Sequence, residues 1–160
     1  MRDGRRPAMG RAPEIAREFC ARFLAVLGEA GEVEVSPGPT EIYVNLRGPF
    51  RVLPGEPGFR GELGRLVRLY LKAQIGEEPP LTLDINGEVR AHREALAQRL
   101  GQLAREVQAT HRRMELEPMN PEDRRAVHLV LAKIPGIRSY SVGKGENRRV
   151  VIEPAEEKAN

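Results

Sequence analysis

The spacing of apolar residues changes several times along this chain, and each change marks a predicted element. From Pro13 onward, Ile15, Phe19, Phe23 and Leu27 recur at helical spacing, backed by Ala16, Cys20 and Leu24, and Gly28 and Gly31 supply the stop. Val33 and Val35 then alternate with Glu32 and Glu34, as in a half-buried strand. After the turn Ser36-Pro37-Gly38-Pro39, Ile42, Val44 and Leu46 alternate with Tyr43 and Asn45, which predicts a hairpin. Three prolines and four glycines between residues 47 and 61 predict an irregular loop. A helix is predicted from Glu62 to Ile75, with Leu63, Leu66, Val67, Tyr70 and Leu71 inward, Arg65, Arg68 and Lys72 on a basic face, and Gly76 at its end.

Leu81, Leu83 and Ile85 alternate with Thr82 and Asp84, a third strand that Asn86-Gly87 turns into a long helix reaching about Ala109. Its inward stripe is Leu96, Leu100, Leu103 and Val107. Residues 114–119 read as a hinge. Asn120 is a good N-cap, Pro121 suits the first helical position, and Glu122 and Asp123 complement the positive end of the dipole. This helix offers Val127, Val130, Leu131 and Ile134 to a core and stops at Pro135-Gly136. Two strands follow, over 137–142 and 148–152, around the tight loop Gly143 to Asn147. Helices and strands are mixed throughout, so the fold class is α+β, in two units in series.

Composition narrows the function. The 160 residues carry a formal net charge of +3, which permits nucleic-acid binding without requiring it. Cys20 is the only cysteine, which rules out an internal disulfide and a Cys-rich metal site; its apolar neighbours predict a buried thiol. The three histidines (His92, His111 and His128) have no metal-ligand spacing, so neither metal nor cofactor is expected. No secretory leader or membrane-length apolar run is seen, and the expected compartment is the cytoplasm. Glu117, Asp123 and His128 carry acid–base groups, but no nucleophile is paired with a base and no Walker-type lysine follows a glycine loop; no enzyme is expected.

Two places carry binding chemistry. Gly55-Glu56-Pro57-Gly58 and Gly58-Phe59-Arg60-Gly61 are overlapping glycine pairs leading into a helix, where free amides favour anions. A Gly-x-x-Gly loop of this kind clamps single strands in KH modules. From residue 47 to 72 there are six basic side chains (Arg47, Arg51, Arg60, Arg65, Arg68, Lys72) against two acidic ones (Glu56, Glu62). The bland alternative is a Pro/Gly-rich surface loop, and Glu56-Pro57 between the first glycines favours it. The second place is Arg124 and His128, one helical turn apart, with Arg125 beside them and Lys144, Arg148 and Arg149 downstream. Arginine offers phosphate a bidentate fork, and histidine a hydrogen bond whose charge follows pH. The bland reading here is a core-packed histidine beside a solvated arginine. Phe50, Phe59 and Tyr140 are the aromatic candidates for base stacking.

The run Leu116-Glu117-Pro118-Met119-Asn120-Pro121, Arg124-Arg125-x-Val127-His128, Ile134-Pro135-Gly136-Ile137, Tyr140-Ser141-x-Gly143 and Arg148-Arg149-Val150-Val151-Ile152 resembles the RNA-binding domain named for its Arg-x-x-x-His signature, as found in Jag (SpoIIIJ-associated) proteins. Residues 13 to 110 are similar to the type-II KH domain that precedes it there, through the lead helix, Tyr43-Val44-Asn45-Leu46 and Leu83-Asp84-Ile85-Asn86-Gly87. Lack of periodicity predicts a disordered basic arm over 1–12 and a flexible tail over 155–160, and the resemblance implies a KH-like three-stranded sheet with packed helices over 13–112 and an Arg-x-x-x-His domain over 113–154. The family's separate N-terminal Jag domain is expected to be lacking. Also implied are a bacterial regulator of cell elongation, division and cell shape; single-stranded RNA as ligand, with single-stranded DNA left open; and a small KH-domain protein or a second copy as partner. Arg124 and His128 match the signature, and Arg148 and Arg149 its late basic pair; the glycine clamp matches in part. The runner-up is an adaptor whose KH loop has lost RNA binding and serves dimerisation.

Overall fold

A computed structural model describes residues 6–54 and 56–155. In chain order the elements are α1 (Arg6–Val26), β1 (Glu32–Pro37), β2 (Ile42–Arg47), α2 (Pro57–Ile75), β3 (Leu81–Ile85), α3 (Glu88–Thr110), β4 (Met114–Glu115), α4 (Pro121–Leu131), β5 (Ile137–Val142), a 3-10 turn (Gly145–Asn147) and β6 (Arg149–Pro154). The chain divides into two compact units between Ala91 and His92.

In the first unit the sheet runs β1-β2-β3, with β1 antiparallel and β3 parallel to β2. A parallel pair needs a long crossover, and α2 supplies it. The alternation in β2 and β3 sends Ile42, Val44, Leu46, Leu81, Leu83 and Ile85 to one face, against Ala16, Cys20 and Leu24 of α1 and Leu63, Val67 and Leu71 of α2. Fully burying such a Val or Leu stabilises the fold by about 1.5–3 kcal/mol. Burial pushes the Cys20 thiol up to about 12, so it is a structural group. Leu66, placed inward by its helical spacing, stands 48% exposed; the stripe on α2 is narrower than its apolar residues suggest.

The other face of this sheet is polar and joins the start of α3. Asp84 is fully buried and accepts the Tyr43 hydroxyl at 2.5 Å and the Val89 and Arg90 amides at 3.0 Å each. Burial opposes its charge, but the Tyr43 hydroxyl and those amides outweigh burial and hold the carboxyl below its ordinary range. The Arg90 guanidinium stacks 4.2 Å over the Tyr43 ring. Asn86 (φ 54) and Gly87 (φ 73) make the left-handed turn between strand and helix, a conformation that Asn and Gly tolerate best.

In the second unit β4 and β5 flank β6, both antiparallel to it. Val150 and Ile152 of β6 meet Leu100 and Val107 of α3 and Val127 and Leu131 of α4 in a second core. Most of α3 therefore belongs here. The expected boundary at residue 112/113 gives way to one between Ala91 and His92, because the stripe on α3 packs on the second sheet. Three further expectations change. Residues 6–12, assigned to a disordered arm, form the first turns of α1, where Ala12 is fully buried; residues 1–5 lie outside the described residues, as does the tail after Ala155. Helix α2 begins at Pro57 rather than Glu62, since proline at the first helical position loses no needed hydrogen bond. The hinge contains β4, an edge strand two residues long.

Candidate nucleic-acid interface

The second unit brings together part of the predicted cationic set. Asn120 caps α4: its Oδ1 accepts the Asp123 amide at 2.8 Å, with Pro121 in the first turn. Val127 and Leu131 turn α4 to the core, which leaves Arg124 and His128 half-buried on its flank. The register of β5 on β6 (Ser139 opposite Ile152, Ser141 opposite Val150) puts both serines on the face that α4 covers. His128 Nδ1 lies 2.8 Å from Ser139 Oγ and Nε2 lies 3.0 Å from Ser141 Oγ. Burial, and then the charge of Arg124, push the His128 pKa below its ordinary value. The imidazole is neutral at neutral pH with both nitrogens engaged, so it ties α4 to β5.

Arg124 Nη1 donates to the Met119 carbonyl at 2.7 Å, and Arg148 Nη1 to the Gly143 carbonyl at 3.3 Å. The Met119 amide donates to the Arg148 carbonyl at 3.2 Å, which holds the segment before α4 beside the β5–β6 loop. Gly143 makes that loop possible: its φ is 86 and a Cβ there would sit 2.8 Å from the Asn147 carbonyl oxygen. The result is a cleft of about 610 Å³ lined by Pro118, Met119, Asn120, Pro121, Arg124, Gly145, Glu146 and Arg148. Among the described residues neither arginine of this cleft pairs with a carboxylate within salt-bridge distance. Each guanidinium has five N–H donors and commits one to its carbonyl contact. Lys144 and Arg125 are exposed nearby in sequence, on the same loop and helix.

Arg149 is not brought to this cleft. It pairs across the sheet with Val142, on the face opposite Val150 and Ile152, and its Nε lies 3.2 Å from Glu115 Oε2 with the N–H not aimed at the oxygen. Tyr140 shares that face and donates to Glu153. The strand alternation of Arg148-Arg149 forces the two side chains apart.

In the first unit the glycine clamp takes a different form. Gly58, Arg60 and Gly61 are residues of α2, and Gly55 lies outside the described residues. A Cβ on Gly58 or Gly61 would meet nothing within 4 Å. Arg60 bonds Glu88 at 2.5 Å, and Arg68 donates to the Leu81 carbonyl at 3.2 Å beside Glu78. Arg65 is exposed. Phe50 and Phe59 pack against the core. Sequence reasoning missed Ser139 and Ser141, although two hydroxyls at strand spacing opposite a helix histidine were a usable signal.

Residues 94–154 match the family described as the R-3-H domain, which takes in the C-terminal part of α3 and all of the second sheet. The chain is 34% identical over 101 residues to "RNA-binding protein KhpB" of Bacillus subtilis (strain 168), an alignment covering 59% of this chain and 49% of that protein. It is 29% identical over 159 residues to the protein of that name from Clostridium symbiosum, covering 93% of this chain and 72% of the relative. With the Streptococcus pneumoniae serotype 2 protein of that name it shares 27% identity over 100 residues, 60% of this chain and 30% of the relative. The chain thus spans about half the length of the Bacillus relative and less of the Streptococcus one.

Proposed function

We propose that the chain belongs to the KhpB-type family with an Arg-x-x-x-His domain and binds single-stranded RNA chiefly through the cleft at the start of α4. One observation carries this reading: Arg124 and Arg148 come from different elements, line one cleft and face no carboxylate partner among the described residues. Two guanidinium forks lining one cleft suit a phosphodiester. Glu146 lines the same cleft and its charge opposes an approaching phosphate. His128 acts at one remove, by holding α4 on β5. Relatives named RNA-binding proteins support the ligand class. A cytoplasmic role in bacterial cell elongation or division, with a small KH-domain protein as partner, rests on the resemblance alone. No described helix is long and apolar enough to cross a membrane.

Fluorescence anisotropy with a labelled single-stranded RNA tests the reading on the intact chain. Hydrogen bonds to charged groups contribute about 1.5–3 kcal/mol, so Arg124→Ala and Arg148→Ala should each weaken binding about 10- to 100-fold. Losing both contacts should reduce the slope of log affinity against log salt by roughly 1.4. Arg149→Ala should leave affinity within about 2-fold, as an arginine outside the cleft. A folded Arg124→Ala, Arg148→Ala double variant with unchanged affinity and slope sinks the assignment.

The adaptor reading has its own support in the first unit, where Val26, Leu66 and Leu69 stand 85%, 48% and 46% exposed. Sedimentation of the intact chain separates the two: a concentration-dependent dimer abolished by Leu66→Glu favours the adaptor for that unit.

A further inference from the structure

Between α1 and the segment after β2, a carboxylate sits in a cradle of main-chain amides. Helix α1 closes with Gly28 (φ 67) donating to the Ala25 carbonyl and the Glu29 amide donating to the Leu24 carbonyl at 3.0 Å, the Schellman pattern. That closure fixes the backbone of Glu29, and its side chain turns toward residues 51–53. The Arg51 amide donates to Glu29 Oε1 at 3.0 Å and Oε2 at 3.2 Å, the Leu53 amide donates to Oε1 at 3.3 Å, and the Val52 amide makes the closest contact. Glu29 is 8% exposed. The two segments are locked at this distance by glycine: a Cβ on Gly48 would lie 2.5 Å from the Ala30 carbonyl oxygen, and one on Gly31 2.8 Å from that of Arg47.

Successive amides converging on one point form a nest, the arrangement by which main chain holds phosphate and sulfate. We propose that the Arg51, Val52 and Leu53 amides form an oxyanion site for a phosphate group, kept closed by the Glu29 carboxylate as an internal stand-in. Tethering gives the carboxylate an effective concentration in the millimolar range or above, so free phosphate does not displace it. Its charge also repels a phosphate approaching the mouth. The segment between β2 and α2 is therefore silent toward phosphate while Glu29 is seated. The proposal does not depend on the α4 cleft.

The test uses the intact chain with Glu29→Ser, which leaves the cradle vacant, and inorganic phosphate titrated at constant ionic strength. The Arg51, Val52 and Leu53 amide resonances and the melting temperature are followed. In the variant, phosphate should shift those resonances and raise the melting temperature, and neither should move in the parent chain. The salt slope for single-stranded RNA should steepen in the variant by roughly 0.7, one added phosphate contact. A folded variant whose amides ignore phosphate overturns the proposal and leaves Glu29 a structural staple only. Should the variant not fold alone, formate and phosphate are added separately: refolding with phosphate supports the proposal, and refolding with formate only, or with neither, overturns it. Failure of the α4 cleft shows as an RNA affinity insensitive to Arg124 and Arg148, and leaves the phosphate shifts untouched.

Discussion

His128 shows how one side chain takes a different role from the one its motif suggests. Its nitrogens are engaged by Ser139 and Ser141, and burial beside Arg124 lowers its pKa. The unfolded chain then binds a proton more readily than the folded one. This contribution to stability is complete above the ordinary imidazole value of about 6.5 and is lost as pH falls below it, down to the lower folded value. Melting curves from neutral to mildly acidic pH should show a steeper loss in the parent chain than in His128→Gln, which keeps a hydrogen-bonding side chain without the titration. Parallel pH profiles would remove this role. The Arg-x-x-x-His spacing made the shared helix face legible; Arg124 turns back to the Met119 carbonyl and His128 takes its partners from β5, where only the spacing of Ser139 and Ser141 hints at them.

Among elements, α2 and the segment before it separate two kinds of glycine. Gly58 and Gly61 lie in helix with open space where a Cβ would go, so each weakens α2 without relieving any clash. Gly58→Ala and Gly61→Ala should each stabilise the protein by about 0.5–1 kcal/mol in urea titrations. Gly48→Ala, with its Cβ 2.5 Å from a backbone carbonyl, should destabilise by about 1–3 kcal/mol through overpacking. The opposite ranking would mean that the glycines of α2 are needed for close approach. The glycine pairs are plain in the sequence, but glycine alone does not distinguish a loop that must accept a backbone from the frayed start of a helix. Period-two alternation located β2 and β3 well because it runs for five or six residues; β4, at two residues, is too short to carry any period.

For the molecule as a whole, the two cores decide what folds independently. The stripe Leu96, Leu100, Leu103, Val107 was legible, but its destination was not, because a helical stripe does not state which sheet it covers. Leu100 and Val107 complete the second core. A fragment of residues 92–155 should give a cooperative melt and dispersed amide spectra, and one of residues 113–155 should be unfolded, having lost those side chains. A folded 113–155 fragment would restore the later boundary. The placement of Asp84 has a last consequence during synthesis. The first unit has its three strands and the partners of Asp84 in hand once Val89 and Arg90 leave the ribosome, whereas the second waits for β6, to which both of its other strands are zipped. The nascent chain therefore closes in two strokes, and the earlier product is finished while the latter part of the message is still being read.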